Sequence, residues 1–134
     1  MMRHAIEKEA DMVIGNMMVT NLQGEVEKIG EIGVQGEFTG KELKQLVILD
    51  DWLAGGGFPW NRVTNLKKIK EVTGGIIPFN PQLKVYEDKC WLLNVLDTID
   101  KIFVTQEVIY NYVIHSNSLS HFLTPEKISN VANA

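Results

Sequence analysis

The first forty residues differ in texture from the rest of the chain. Ala10–Thr20 (ADMVIGNMMVT) is a run rich in Val, Ile and Met, Asn21-Leu22-Gln23-Gly24 has the composition of a turn, and Glu25–Phe38 partly alternates before Thr39. Glycines at positions 15, 24, 30, 33 and 36 would each cost a helix about 1 kcal/mol relative to alanine. The stretch therefore predicts strands, with glycines at the bulges and bends of a curved sheet.

The pattern then changes. Thr39-Gly40-Lys41-Glu42 matches a capping box, in which a hydroxyl and a carboxylate each satisfy a backbone donor at a helix start. A helix is predicted over 40–54, with Leu43, Leu46, Val47, Leu49 and Leu53 on one broad face and Ile48 and Trp52 on a second strip, so that two sides are covered. The triple glycine at 55–57 supplies its stop. Thr64 is positioned to cap a second helix reaching Val72, stopped by Gly74-Gly75, with Lys67, Lys68 and Lys70 on its solvated face.

Ile76–Asn80 reads as extended, because the residues before Pro78 and Pro81 are pushed off helical angles. Beyond it two readings compete. Asn80-Pro81 opens a helix carrying Leu83, Tyr86, Cys90 and Leu93, or a hairpin turns at Glu87-Asp88; the helix is favoured. Ile102–Val104 and Val108–Ile114 are dense in β-branched and aromatic residues, yet Leu92, Leu96, Ile99 and Phe103 keep helical spacing. Helix followed by strand, or one long buried helix, both fit. Ser116–Ser120 is a polar break, and Thr124-Pro125-Glu126 opens a short last helix.

The sum is an α+β fold. N-terminal, glycine-punctuated antiparallel strands pack against several helices in a single compact domain, 1–134, with fraying expected at 1–9 and 130–134. A chain of 134 residues with 45% hydrophobic and 22% charged residues can bury a core without staples. A formal net charge of −4 disfavours nucleic acid, whose phosphates call for clustered Lys and Arg. The single cysteine, Cys90, sits beside Trp91 in an apolar run and reads as a small buried hydrophobe. Met1–Asp11 is too polar for a secretory leader, and no apolar run reaches the ~18 residues of a membrane span. The expected compartment is the reducing cytoplasm, with no membrane contact.

Candidate chemistry concentrates at Gly55-Gly56-Gly57-Phe58-Pro59-Trp60-Asn61-Arg62. Glycines permit close backbone approach, aromatic rings stack, and a guanidinium offers a planar fork of donors. Phe58, Trp60, Asn61 and Arg62 are therefore the candidate ligand-binding residues, suited to a nucleotide or another anionic small molecule. The structural counter-reading pairs Arg62 with Asp50 on the helix before the loop.

Elsewhere the signals are thin. Asp97 and Asp100 share one face if their segment is helical, but no further ligands accompany them. His115 and His121 are six apart, a spacing foreign to familiar zinc sites, and no strained nucleophile turn accompanies the serines. Gly30–Gly36 (GEIGVQG) lacks the spacing of a dinucleotide or triphosphate loop. Met12, Met17 and Met18 suit either core filling or an adaptable interface. No catalytic residue, metal site or cofactor is expected. The function read from the sequence is a non-enzymatic binding or regulatory protein, an inhibitor or accessory factor working through protein contacts and self-association. The alternative is a protein that binds or sequesters a small anionic ligand with the 55–62 loop.

Overall fold

Strand β1 (Met12–Thr20) organises the chain, because it is paired along both edges. A computed structural model describes residues 1–30, 32–49, 55–83 and 86–115. One edge of β1 is shared between two antiparallel partners: β4 (Arg62–Thr64) takes Met12–Ile14, and β2 (Val26–Ile29) takes Met18–Thr20. The other edge runs parallel to the long strand β5 (Ile102–Val113), with Met12 opposite Ile102 and Thr20 opposite Val113. Strand β3 (Gly36–Phe38) adds antiparallel to the start of β5. The sheet is thus mixed: the strands expected in the first forty residues are present, and the parallel β1–β5 pair is what the antiparallel expectation lacked.

Among the described residues four helices accompany the sheet: α1 (Met2–Glu7), α2 (Gly40–Ile48), α3 (Leu66–Thr73) and α4 (Glu87–Leu96). Met12 and Ile14 of β1 and Ile102 and Val104 of β5 share one face. There they meet Leu43 and Val47 of α2, Ile69 of α3, and Leu92, Val95 and Leu96 of α4. Burying each such side chain contributes about 1.5–3 kcal/mol, so this layer holds the fold. The opposite face is thinner. Val13 lies in register with Phe103, and α1 covers that pair, its His4 ring 5.3 Å from the ring of Phe103.

Helix boundaries follow local chemistry. The capping box forms as expected, with Glu42 N–H donating to Thr39 Oγ1 and Thr39 N–H donating to the Glu42 carboxylate. The Thr39 N–H and the Thr39 hydroxyl both donate to the Glu42 carboxylate, and these two bonds, backbone first, hold it below its ordinary range. The helix is shorter than its hydrophobic period predicts, ending at Ile48 with Leu49 as C-cap; positions 50–54 lie outside the described residues. Ile48 and Leu49 are exposed, while Leu43 and Val47 enter the core with Leu46 packed against it; Trp52 and Leu53 lie outside the described residues. At its start Gly40 lies on the Leu96 and Ile99 carbonyl oxygens, where no Cβ fits.

Asn65, not Thr64, caps α3, because Thr64 is committed to β4 while the Asn65 side chain accepts from Lys67 and Lys68 N–H. Gly74 closes α3 in the left-handed region, as predicted. The Pro81 segment is a turn rather than a helix start. Helix α4 begins only at Glu87, after Tyr86 at φ 63°, and ends at Leu96. The ambiguity over 92–114 resolves as helix then strand: the dense β-branched run of β5 wins once Asp97 caps α4. The expected C-terminal helix lies outside the described residues.

Candidate functional site

The turn from Gly55 to Arg62 is built by conformations that side chains resist. Gly55 and Gly56 adopt φ values of 82° and 66°, the left-handed region where only glycine is unpenalised. A Cβ on Gly55 would also sit 2.7 Å from Asn61 Nδ2 and 2.9 Å from Ile14 Cγ2. Gly57 lies against the Lys89 side chain, so the first turn of α4 closes the corner from the other side.

Asn61 and Arg62 point inward and brace this corner. Asn61 is 1% exposed and Arg62 8%. Asn61 Nδ2 donates to Gly55 O at 2.9 Å. Arg62 Nη2 donates to Gly56 O at 2.9 Å and to Asn61 Oδ1 at 3.0 Å, and Nε also donates to Asn61 Oδ1. The guanidinium therefore ties the two glycine carbonyls to the edge of β1, where Asn61 O accepts from Gly15 N–H at 3.0 Å.

Burial pulls the Arg62 guanidinium down to about 9, with Asp88 in the first turn of α4 acting in the opposite direction. Asp88 makes no ion pair with it among the described residues, and burial raises its own carboxyl above the ordinary range. Arg62 Nη1 is buried and makes no hydrogen bond among the described residues. Asp50, the partner inferred from sequence, lies outside them.

Phe58 and Trp60 behave differently from their neighbours. Both are half-buried, and their rings stack at 5.1 Å. Because Arg62 pairs with one edge of β1 while β5 occupies the other, Trp60 reaches across β1 to stack on Tyr110 at 4.6 Å and approach Tyr112 at 5.9 Å. Four aromatic side chains thus form one row at the sheet surface. Sequence reasoning missed Tyr110 and Tyr112. Their signal was the Tyr-Asn-Tyr alternation of a strand, hidden while that segment could equally be read as helix.

The remaining candidates do not converge. Asp97 caps α4 and pairs with Lys44 at 2.7 Å, while Asp100 lies beyond the helix end, so the two do not share a helical face. His115 is exposed, and His121 falls outside the described residues. Cys90 is a free, half-buried thiol. Within 30–36, Gly30 pairs with Met17, Ile32 enters the core, and the segment leads into β3, so it packs sheet rather than opening a helix. Met12 is core, and Met17 and Met18 are half-buried.

Among the described residues there is no cluster of three or more His, Cys, Asp or Glu able to hold a metal, and no helix long and apolar enough to cross a membrane. No protein-family model matches the chain, and no curated protein matches it either.

Proposed function

We propose that this chain is a non-enzymatic binding protein whose contact surface is the aromatic row Phe58, Trp60, Tyr110 and Tyr112. The observation that carries the proposal is the division within the loop: Asn61 and Arg62 turn inward as a brace, while Phe58 and Trp60 are only half-buried and lie at the sheet surface. Rigid aromatic side chains lose little entropy on association and dominate the energetic centres of protein interfaces. The rings also stack on one another. Ring faces used in this way are not open to a planar ligand, which favours a protein partner over a nucleotide.

The test compares wild type with Trp60→Ser and Tyr110→Ser, each checked for fold by circular dichroism, with Val72→Ser as a remote control. Affinity capture and light scattering read association with other proteins and with itself. The expected result is binding by wild type and the control that falls at least tenfold in both aromatic variants. A strictly monomeric wild type whose captured proteins match those of the variants overturns the proposal.

One observation favours the second reading, an anionic small ligand: the buried Arg62 Nη1 with no hydrogen bond among the described residues. Tryptophan fluorescence against a nucleotide panel separates the two. A response in wild type that disappears in Arg62→Met supports the ligand, and silence across the panel removes it.

A further inference from the structure

Helix α1 covers Val13 and Phe103 and is tied to the body by the His4–Phe103 ring contact and by ion pairs at its surface. None of its residues is buried. Arg3 and His4 approach the Glu107 carboxylate at 3.7 and 3.2 Å, and Lys8 just past the helix reaches Glu37 at 3.9 Å and lies over the Phe103 ring at 5.4 Å. Clefts lie along one flank of the helix, at Met2, Ala5 and Ile6, and beyond its end, at Lys8 and Ala10. A cleft of about 240 Å³ opens on the side of Glu37 and Phe38, and one of about 480 Å³ on the side of Val63 and Leu66.

The join to β1 is strained. Ala10 N–H donates to Ala5 O and Glu9 N–H to Ile6 O, the two bonds of a Schellman stop. That motif needs a left-handed residue at its centre, normally glycine, and here Glu9 holds φ 48°. Opening the stop lets Glu9 relax to an extended conformation and carries α1 away from its own sheet.

We infer that α1 is an exchangeable strap, and that the site it vacates is filled by the α1 of a second copy of this chain. The occupant is fixed by complementarity: Glu107, Glu37 and Phe103 accept two cations and an imidazole in the spacing that α1 presents. Exchange keeps those contacts and relieves the strain at both hinges, and strained short hinges favour such swapping. The short tether gives the closed form a high effective concentration, so exchanged dimers are expected to grow with protein concentration.

Two differently tagged full-length chains in a Cys90→Ser background provide the test, one carrying Lys8→Cys and the other Glu37→Cys. A short thiol cross-linker joins them only when the strap of one copy lies on the body of the other. Glu9→Pro, which cannot adopt the closed hinge, is added to the Lys8→Cys chain and is expected to raise the cross-linked product several-fold. Glu9→Gly, which relaxes the closed hinge, lowers it. Both substitutions remove the Glu9–Lys101 contact, so their difference reads the hinge alone. Glu107→Arg in the accepting chain abolishes the product. A product absent at all concentrations, or equal in the proline and glycine variants with native circular dichroism, overturns the inference.

Discussion

The two halves of the β1–β5 pair are held by different means. From Met12 to Asn16 every β1 residue is buried, with β4 and β5 on the two edges and α2, α3 and α4 packed on one face. Beyond Asn16 the pair continues with β2 as third strand. All four β2 residues are exposed there, Val26 at 56% and Ile29 at 55%, and Val113 of β5 is 42% exposed. The first half is fixed by packing throughout; in the second Val19 and Thr20 are still buried, and the ladder and local bonds such as those of the Asn21 side chain to Gln23 and Glu25 N–H carry the rest. The aromatic row lies at the boundary, with Trp60 supplied by the packed half and Tyr110 and Tyr112 by the open one. A binding surface at such a junction has a rigid side to position it and an uncovered side to present it.

The largest expected effect is in the packed half. Leu92 is fully buried between α4 and the sheet, and Leu92→Ala is expected to cost about 3–4 kcal/mol in denaturant unfolding, from lost transfer energy plus the cavity left behind. A cost below about 1 kcal/mol would break the comparison, because it would show that helix packing does not hold this half.

Next comes the brace at the corner. Arg62→Met keeps the bulk but leaves the Gly56 carbonyl and the Asn61 side-chain oxygen without the guanidinium donors. An expected loss of about 2–4 kcal/mol follows from acceptors stranded in a buried site. Trp60 emission should shift as well, since the loop that positions the ring loses its tie. Arg62→Lys is expected to rescue little, because an ammonium lacks the planar fork that serves several acceptors.

How much of this was legible depends on the range of the interactions involved. The Thr39–Glu42 box and the Gly74 stop are local motifs, and both are where the sequence places them. The end of α2 at Ile48 and the late start of α4 are not local, since the hydrophobic period runs past both boundaries. The 55–62 stretch was recognisable by its residue types, but which side chains turn inward was not. That division depends on Gly15 and Ile14 of β1 and on Lys89 of α4, all distant in sequence. Likewise Tyr110 and Tyr112 joined the row only when 102–113 became a strand parallel to β1, a pairing that no short-range pattern encodes.

Asp88 offers a smaller and pH-dependent test of the same corner. Burial raises its carboxyl in the folded state, and this outweighs the pull of Arg62. An acid raised on folding binds its proton more tightly when native, so ionised Asp88 is a liability above the ordinary carboxyl range and ceases to be one as pH falls. Asp88→Asn is therefore expected to unfold at slightly higher denaturant than wild type near neutral pH, with the advantage shrinking on acidification. The opposite trend, a variant that gains as pH falls, would mean that the attraction to Arg62 governs this carboxylate.

The smallest effect is expected in the open half, and it is the one that most sharpens the contrast. Val26 and Ile29 on β2 already meet solvent over half their surface, so Val26→Thr with Ile29→Thr removes little burial and keeps the β-branched shape that suits a strand. Stability should stay within about 0.5 kcal/mol of wild type. A loss several times larger would show that these residues are covered in solution, which for a folded protein means by another chain, and would extend the binding surface from the aromatic row onto the β2 edge. An unchanged stability together with unchanged association would confine that surface to Phe58, Trp60, Tyr110 and Tyr112, leaving β2 as an edge protected by its charged Glu27 and Lys28.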